Sequence, residues 1–94
     1  MPAYFQIVRY NLTTSAWTDI VCPFFCSSVK ILNEDNATSQ YLRSDRGDSG
    51  SERILLPSQE LEIRSPVSTF EHGVVVCSLK AQSGAGPVVA SFIR

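Results

Sequence analysis

Between Pro57 and Arg64 the chain alternates: Gln59, Leu61 and Ile63 take every second place, and Glu60, Glu62 and Arg64 the places between. A period of two belongs to a strand with one buried and one wet face, because successive side chains of extended backbone point to opposite sides. Pro57-Ser58 separates this strand from the run Arg53 to Leu56. Proline has no amide to give to a ladder, so two short strands meeting at a tight corner are expected. The row Glu60, Glu62 and Arg64 is expected to face solvent, where mixed charge also discourages edge-to-edge aggregation.

The rest of the chain follows the same logic. Gly73-Val-Val-Val-Cys-Ser-Leu-Lys80 is short, β-branched and bounded by glycine and a polar loop, as in a central strand buried on both sides for part of its length. Pro87-Val-Val-Ala-Ser-Phe-Ile-Arg94 is expected as its neighbour across a turn at Ser83-Gly-Ala-Gly86. Tyr4 to Tyr10 and Ala16 to Val21 flank Asn11-Leu-Thr-Thr-Ser15, and Phe25 to Leu32 and Ser39 to Arg43 flank Asn33-Glu-Asp-Asn36, which predicts two more hairpins. No window of eleven residues holds apolar positions at helical spacing. About eight strands with turn signals every eight to twelve residues predict an all-β fold, a single antiparallel β-sandwich of jelly-roll or Ig-like type.

Length and charge narrow the function classes. Ninety-four residues suit one domain, 1–94, with one core and little room for a deep pocket. With 44% hydrophobic and 18% charged residues the chain is too apolar to stay disordered and too polar for a membrane protein. A net charge of −1 and scattered arginines give no general grip on nucleic acid or an anionic membrane, so neither is expected as a partner. Met1-Pro-Ala-Tyr-Phe-Gln6 lacks the basic region and apolar run of a secretory signal, and no stretch approaches a transmembrane span. The three cysteines are too few for a disulfide scaffold, and with the missing signal they point to folding in a reducing cytoplasm.

Several short motifs carry chemistry elsewhere. Gly47-Asp-Ser-Gly50 matches the surroundings of the nucleophile in chymotrypsin-like proteases, but those enzymes place their histidine before the serine and use two barrels. Here His72 follows Ser49 within one small domain, so no catalytic residue is expected. Arg46-Gly47-Asp48-Ser49 contains an integrin-type tripeptide, and its polar loop, Ser44 to Ser51, is the expected contact loop. The sequons at Asn11 and Asn36 read as turn residues. Cys22, Cys26, Cys77 and His72 have zinc-binding atoms without zinc-binding spacing, and the cysteines read as buried thiols. No metal or other cofactor is expected. Glu60 and Glu62 resemble an acid–base pair only until Arg64 is seen to continue their row. Trp17, Tyr4, Tyr10, Tyr41, Phe24 and Phe25 fit core positions, or a stacking platform for sugars or bases.

From Ser28 to Arg94 the chain resembles small virion proteins of tailed bacteriophages, head decoration and other accessory structural proteins among them. The resemblance lies in Val29-Lys-Ile-Leu-Asn33, the loop ending near Ser51, Ile54-Leu-Leu-Pro-Ser-Gln-Glu-Leu61, Phe70-Glu-His-Gly73 leading into Val74-Val-Val-Cys77, and Ala81-Gln-Ser-Gly-Ala-Gly-Pro-Val-Val89. It is a pattern of strand, turn and strand covering about two thirds of the chain. What it implies is a β-sandwich, made in the host cytoplasm, that assembles with capsid or tail proteins on the virion, often as a homo-oligomer. It implies no cofactor, and no functional residue carries over. The competing expectation is a carbohydrate-binding or cell-adhesion module using surface aromatics or the Arg46-Gly47-Asp48 loop.

Overall fold

Every segment read as extended forms a strand in the computed structural model, which describes residues 5–43, 53–64, 69–84 and 86–94. In chain order these are β1 (Phe5–Leu12), β2 (Thr18–Val21), β3 (Ser28–Asn33), β4 (Gln40–Arg43), β5 (Arg53–Leu55), β6 (Glu60–Arg64), β7 (Val75–Ala81) and β8 (Gly86–Ile93). They build two four-stranded antiparallel sheets, β1-β8-β3-β6 and β2-β7-β4-β5. The all-β sandwich expected from the alternation is the fold. The contact loop expected at Arg46, Gly47, Asp48 and Ser49 lies outside the described residues.

The pairing decides between the two sandwich types. β1 pairs with β8, β2 with β7, β3 with β6 and β4 with β5, as in one long hairpin whose tip is the β4–β5 connection. That hairpin is rolled up so that β8 also meets β3 and β7 also meets β4. This is the connectivity of a jelly roll, not of an immunoglobulin domain, where early strands pair with each other.

The local hairpins expected from the turns are therefore corrected. β1 and β2, β3 and β4, and β7 and β8 lie in opposite sheets, and their connections are arches over the end of the sandwich. A turn-forming cluster reverses the chain in either case; whether the strands then hydrogen-bond or face each other depends on distant partners. Gly86 shows how tight one arch is. A side chain there would place its Cβ 2.8 Å from the Cβ of Ala81 and 2.9 Å from that of Leu12, so β8 can start against β7 and β1 only with glycine.

The corner at Pro57-Ser58 does carry the chain from one sheet to the other. Gln59 N–H donates to the Leu56 carbonyl at 3.1 Å, and Gln59 Oε1 accepts from Leu56 N–H at 2.8 Å. Ser58 has a φ of 60°, which with proline before it makes a type II turn. Beneath this corner Asn33 is fully buried. Its Nδ2 donates to the carbonyls of Thr38, Leu55 and Leu56 at 3.0 to 3.2 Å, and its Oδ1 accepts from Asp35 N–H at 3.0 Å. One side chain thus ties the β3–β4 arch to the end of β5.

The core lies between the sheets, with Ile20, Leu79 and Leu55 meeting Val29, Ile31 and Phe92. β7 and β8 are central strands, and four successive β7 residues, Val76, Cys77, Ser78 and Leu79, are buried, as expected of a strand covered on both faces for part of its length. Val76 is the extra residue of a bulge: Ile20 faces Cys77 and Val21 faces Val75. Leu61 and Ile63 point inward from β6, while Glu60, Glu62 and Arg64 face out, with Arg64 Nε donating to Glu62 Oε1 at 3.1 Å.

Candidate functional site

The outer face of the β1-β8-β3-β6 sheet is built by the side chains that alternate with the core. Register aligns them in rows across the strands: Phe5, Ile93, Ser28 and Arg64; then Ile7, Ser91, Lys30 and Glu62; then Arg9, Val89, Leu32 and Glu60. The polar half lies over β6, where Lys30 faces Glu62. The apolar half lies over β1 and β8, where Phe5 is 60% and Ile7 55% exposed beside the half-buried Ile93. Burying three such side chains against a partner would release apolar surface worth a few kcal/mol at about 25 cal/mol per Å².

Among the described residues β1 is also an edge, and the ladder fixes which of its groups face outward. Glu34 N–H donates to the Pro87 carbonyl at 3.1 Å, continuing the ladder in which even-numbered β3 residues face odd-numbered β8 residues. Asn33 N–H donates to the Gln59 carbonyl at 3.0 Å, so odd-numbered β3 residues bond the other way, to β6. In an antiparallel ladder these roles alternate along each strand. Odd-numbered β8 residues thus bond β3, and even-numbered ones bond Gln6, Val8 and Tyr10. Phe5, Ile7, Arg9 and Asn11 consequently turn their own N–H and C=O groups toward the open edge.

The other edges are poorer templates. β5 has three residues, β2 has four and faces a bulge, and β6 carries a row of charge. β1 runs for eight residues without proline or bulge, in unbroken register with β8.

The outer face of the second sheet is different. The Arg43 guanidinium lies 4.0 Å from the centre of the Trp17 ring, and Lys80 Nζ lies 5.1 Å from Trp17 and 5.8 Å from Tyr41. Ser78 Oγ donates to Asp19 Oδ1 at 2.6 Å on the same face. Of the aromatics considered for a platform, Trp17 and Tyr41 come together, joined by Lys80. Tyr10 and Phe24 pack against the core, Phe25 is exposed before the Cys26 bridge to Phe70, and Tyr4 lies outside the described residues.

The thiols are interior. Cys22, Cys26 and Cys77 are buried and free, while His72 is exposed, so the structure does not gather them into a ligand set. Among the described residues no group of His, Cys, Asp or Glu is placed to hold a metal. Burial pushes the Cys22 thiol up to about 12, with Cys26 beside it adding to the shift. Cys77 is also pushed up to about 12, by burial first and by the charge of Asp19 second. Burial raises Cys26 and Tyr10 as well.

Between β5 and β6 a cleft of about 500 Å³ opens, lined by Leu42, Leu55, Leu61, Ile63, Val76 and Cys77, with Arg43 and Arg53 beside it. Alternation in the sequence located the polar half of the first sheet but missed Phe5 and Ile7, because Tyr4 to Tyr10 is apolar on both faces. No protein-family model, curated protein or solved structure matches the chain.

Proposed function

We propose that this protein is a non-enzymatic structural component of a virus particle, a capsid decoration protein or another virion accessory protein, that acts by binding capsid or tail proteins. The observation that carries the reading is the apolar half-face of Phe5, Ile7 and Ile93 on the flank of a jelly roll. An exposed apolar surface rimmed by Lys30, Arg9 and Glu62 has the composition of a protein-binding patch. Jelly rolls recur among viral capsid domains, a fold-level analogy that agrees with the phage-like strand pattern. The protein would be made in the host cytoplasm and end on the virion.

The test is to read the neighbourhood of the gene and co-express the protein with any capsid and tail proteins encoded there, followed by sedimentation of the particles. The protein should travel with the particles at a fixed ratio, and Phe5→Asp should release it. Absence from the particle fraction overturns the reading.

One observation favours a second reading, a carbohydrate-binding module: Trp17 and Tyr41 share one outer face. Arg43 already stacks on Trp17, so a sugar would have to displace it or use the other side of the ring. Binding on a glycan array that is lost in Trp17→Ala and Tyr41→Ala would establish this reading in place of the first.

A further inference from the structure

We propose that two copies of the chain pair antiparallel through β1, about a twofold axis at Ile7, joining their sheets into one continuous sheet of eight strands. The pairing goes beyond a place on a virus particle and holds with or without one.

The reason lies in where β1 puts its groups. Phe5, Ile7 and Arg9 turn their backbone hydrogen-bonding groups to the open edge, at every second residue, and carry their side chains on the outer face. A strand that pairs with its own copy must match odd residues with odd ones if both outer faces are to lie on the same side. Placing the axis at Ile7 does this: Ile7 meets Ile7 of the second copy, and Phe5 and Arg9 meet each other in both directions. The apolar residue at the axis pairs with itself, and on either side Phe5 lies against the aliphatic stem of Arg9, whose guanidinium stays on Glu34 across β8. Arg9 is already held by Glu34, so its position on the outer face is set before the copies meet.

The same axis brings the two apolar half-faces side by side, which covers part of the exposed surface of Phe5 and Ile7. A second copy is favoured over a foreign strand by this self-complementarity: the segment Phe5 to Arg9 carries both halves of each cross-strand pair. The closed twofold arrangement uses the β1 edges of both copies, and through β1 it stops at two chains.

The experiment measures mass by light scattering after size-exclusion chromatography. Wild-type protein should run at twice the chain mass of 10.4 kDa. Ile7→Pro should halve that mass while leaving the circular dichroism of the sheet unchanged, because the Ile7 amide faces away from β8 and proline there costs the fold no ladder bond. Register is read by Ile7→Cys with diamide as the two-electron oxidant. Hydrogen-bonded antiparallel partners lie about 5.5 Å apart between Cα atoms, within disulfide reach. Ile7→Cys should give a covalent dimer. Phe5→Cys, whose copies lie four residues apart along the strands, should not.

A monomeric wild type at all concentrations overturns the proposal, as it would if a foreign strand were the true occupant. So does a dimer that persists in Ile7→Pro, or one that crosslinks through Phe5→Cys and not Ile7→Cys. Failure to join particles while the dimer forms would sink the virion reading alone.

Discussion

Arg9 on β1 and Glu34 just after β3 reach each other across the outer face of β8, with Arg9 Nη1 donating to both carboxylate oxygens at 3.0 Å. Arg9 faces Val89 in register, and Glu34 N–H donates to the Pro87 carbonyl, so the pair straps three strands. Val89, although on an outer face, is only 9% exposed. Arg9 is itself largely exposed, which limits the worth of the ion pair. A double-mutant cycle of Arg9→Ala and Glu34→Ala, read by urea denaturation, should give a coupling of about 0.2 to 1 kcal/mol that shrinks at high salt. Arg9→Ala alone should cost more than this coupling, because it also uncovers Val89.

Asn33 is a buried polar side chain with every hydrogen-bonding group engaged. Replacing it with alanine strands the carbonyls of Leu55 and Leu56 and the Asp35 amide, and should cost on the order of 3 kcal/mol. Asn33→Asp should be worse at neutral pH, since a carboxylate would face carbonyl oxygens in a buried site, and should recover part of the loss in acid as it becomes a donor. Denaturant midpoints against pH test both. An Asn33→Asp protein as stable as wild type at neutral pH would show that the carbonyl contacts contribute little.

Gly86→Ala should lower stability by about 1 to 3 kcal/mol, since its Cβ would overlap both Ala81 and Leu12. The companion change Ala81→Gly should return part of the loss if the clash is the cause. Thermal unfolding of the two single variants and the double variant decides this.

The buried thiols set an alkaline limit. An ordinary thiol has a pKa of 9.0, and Cys22 and Cys77 are pushed up to about 12 in the folded protein. Between these values the unfolded chain has released protons that the folded chain still holds, so stability falls as pH rises. It should be insensitive to these groups below about pH 9 and decline from there toward about pH 12. Replacing Cys22 and Cys77 with alanine should flatten that decline. At neutral pH a thiol reagent should label the native protein slowly and the denatured protein at all three cysteines.

The strands were readable and their partners were not. Leu61 and Ile63 announced the inward face of β6 because Glu60, Glu62 and Arg64 stood between them. Val74-Val-Val-Cys77 and Val88-Val-Ala90 announced burial without saying in which sheet. Ser83-Gly-Ala-Gly86 looked like a hairpin turn because glycine reverses a chain equally well within a sheet or between sheets; the contact of Gly86 with Leu12, far away in sequence, determines which. The same distance hid the candidate surface. Phe5 and Ile7 are as apolar as Val8 and Tyr10, and only the pairing of β1 with β8 reveals which of them look inward.

The pairing of β1 with β8 also sets the order of events in folding. The sheet that joins the first strand to the last is completed only when the largest loop in the chain closes, and non-local pairings of this kind fold slowly. During synthesis β1 has no partner until β8 has been made, and Phe5, Ile7 and Val8 stay exposed to other nascent chains throughout. Shortening that wait, by permuting the chain so that β8 leads directly into β1, should speed folding and reduce aggregation during expression.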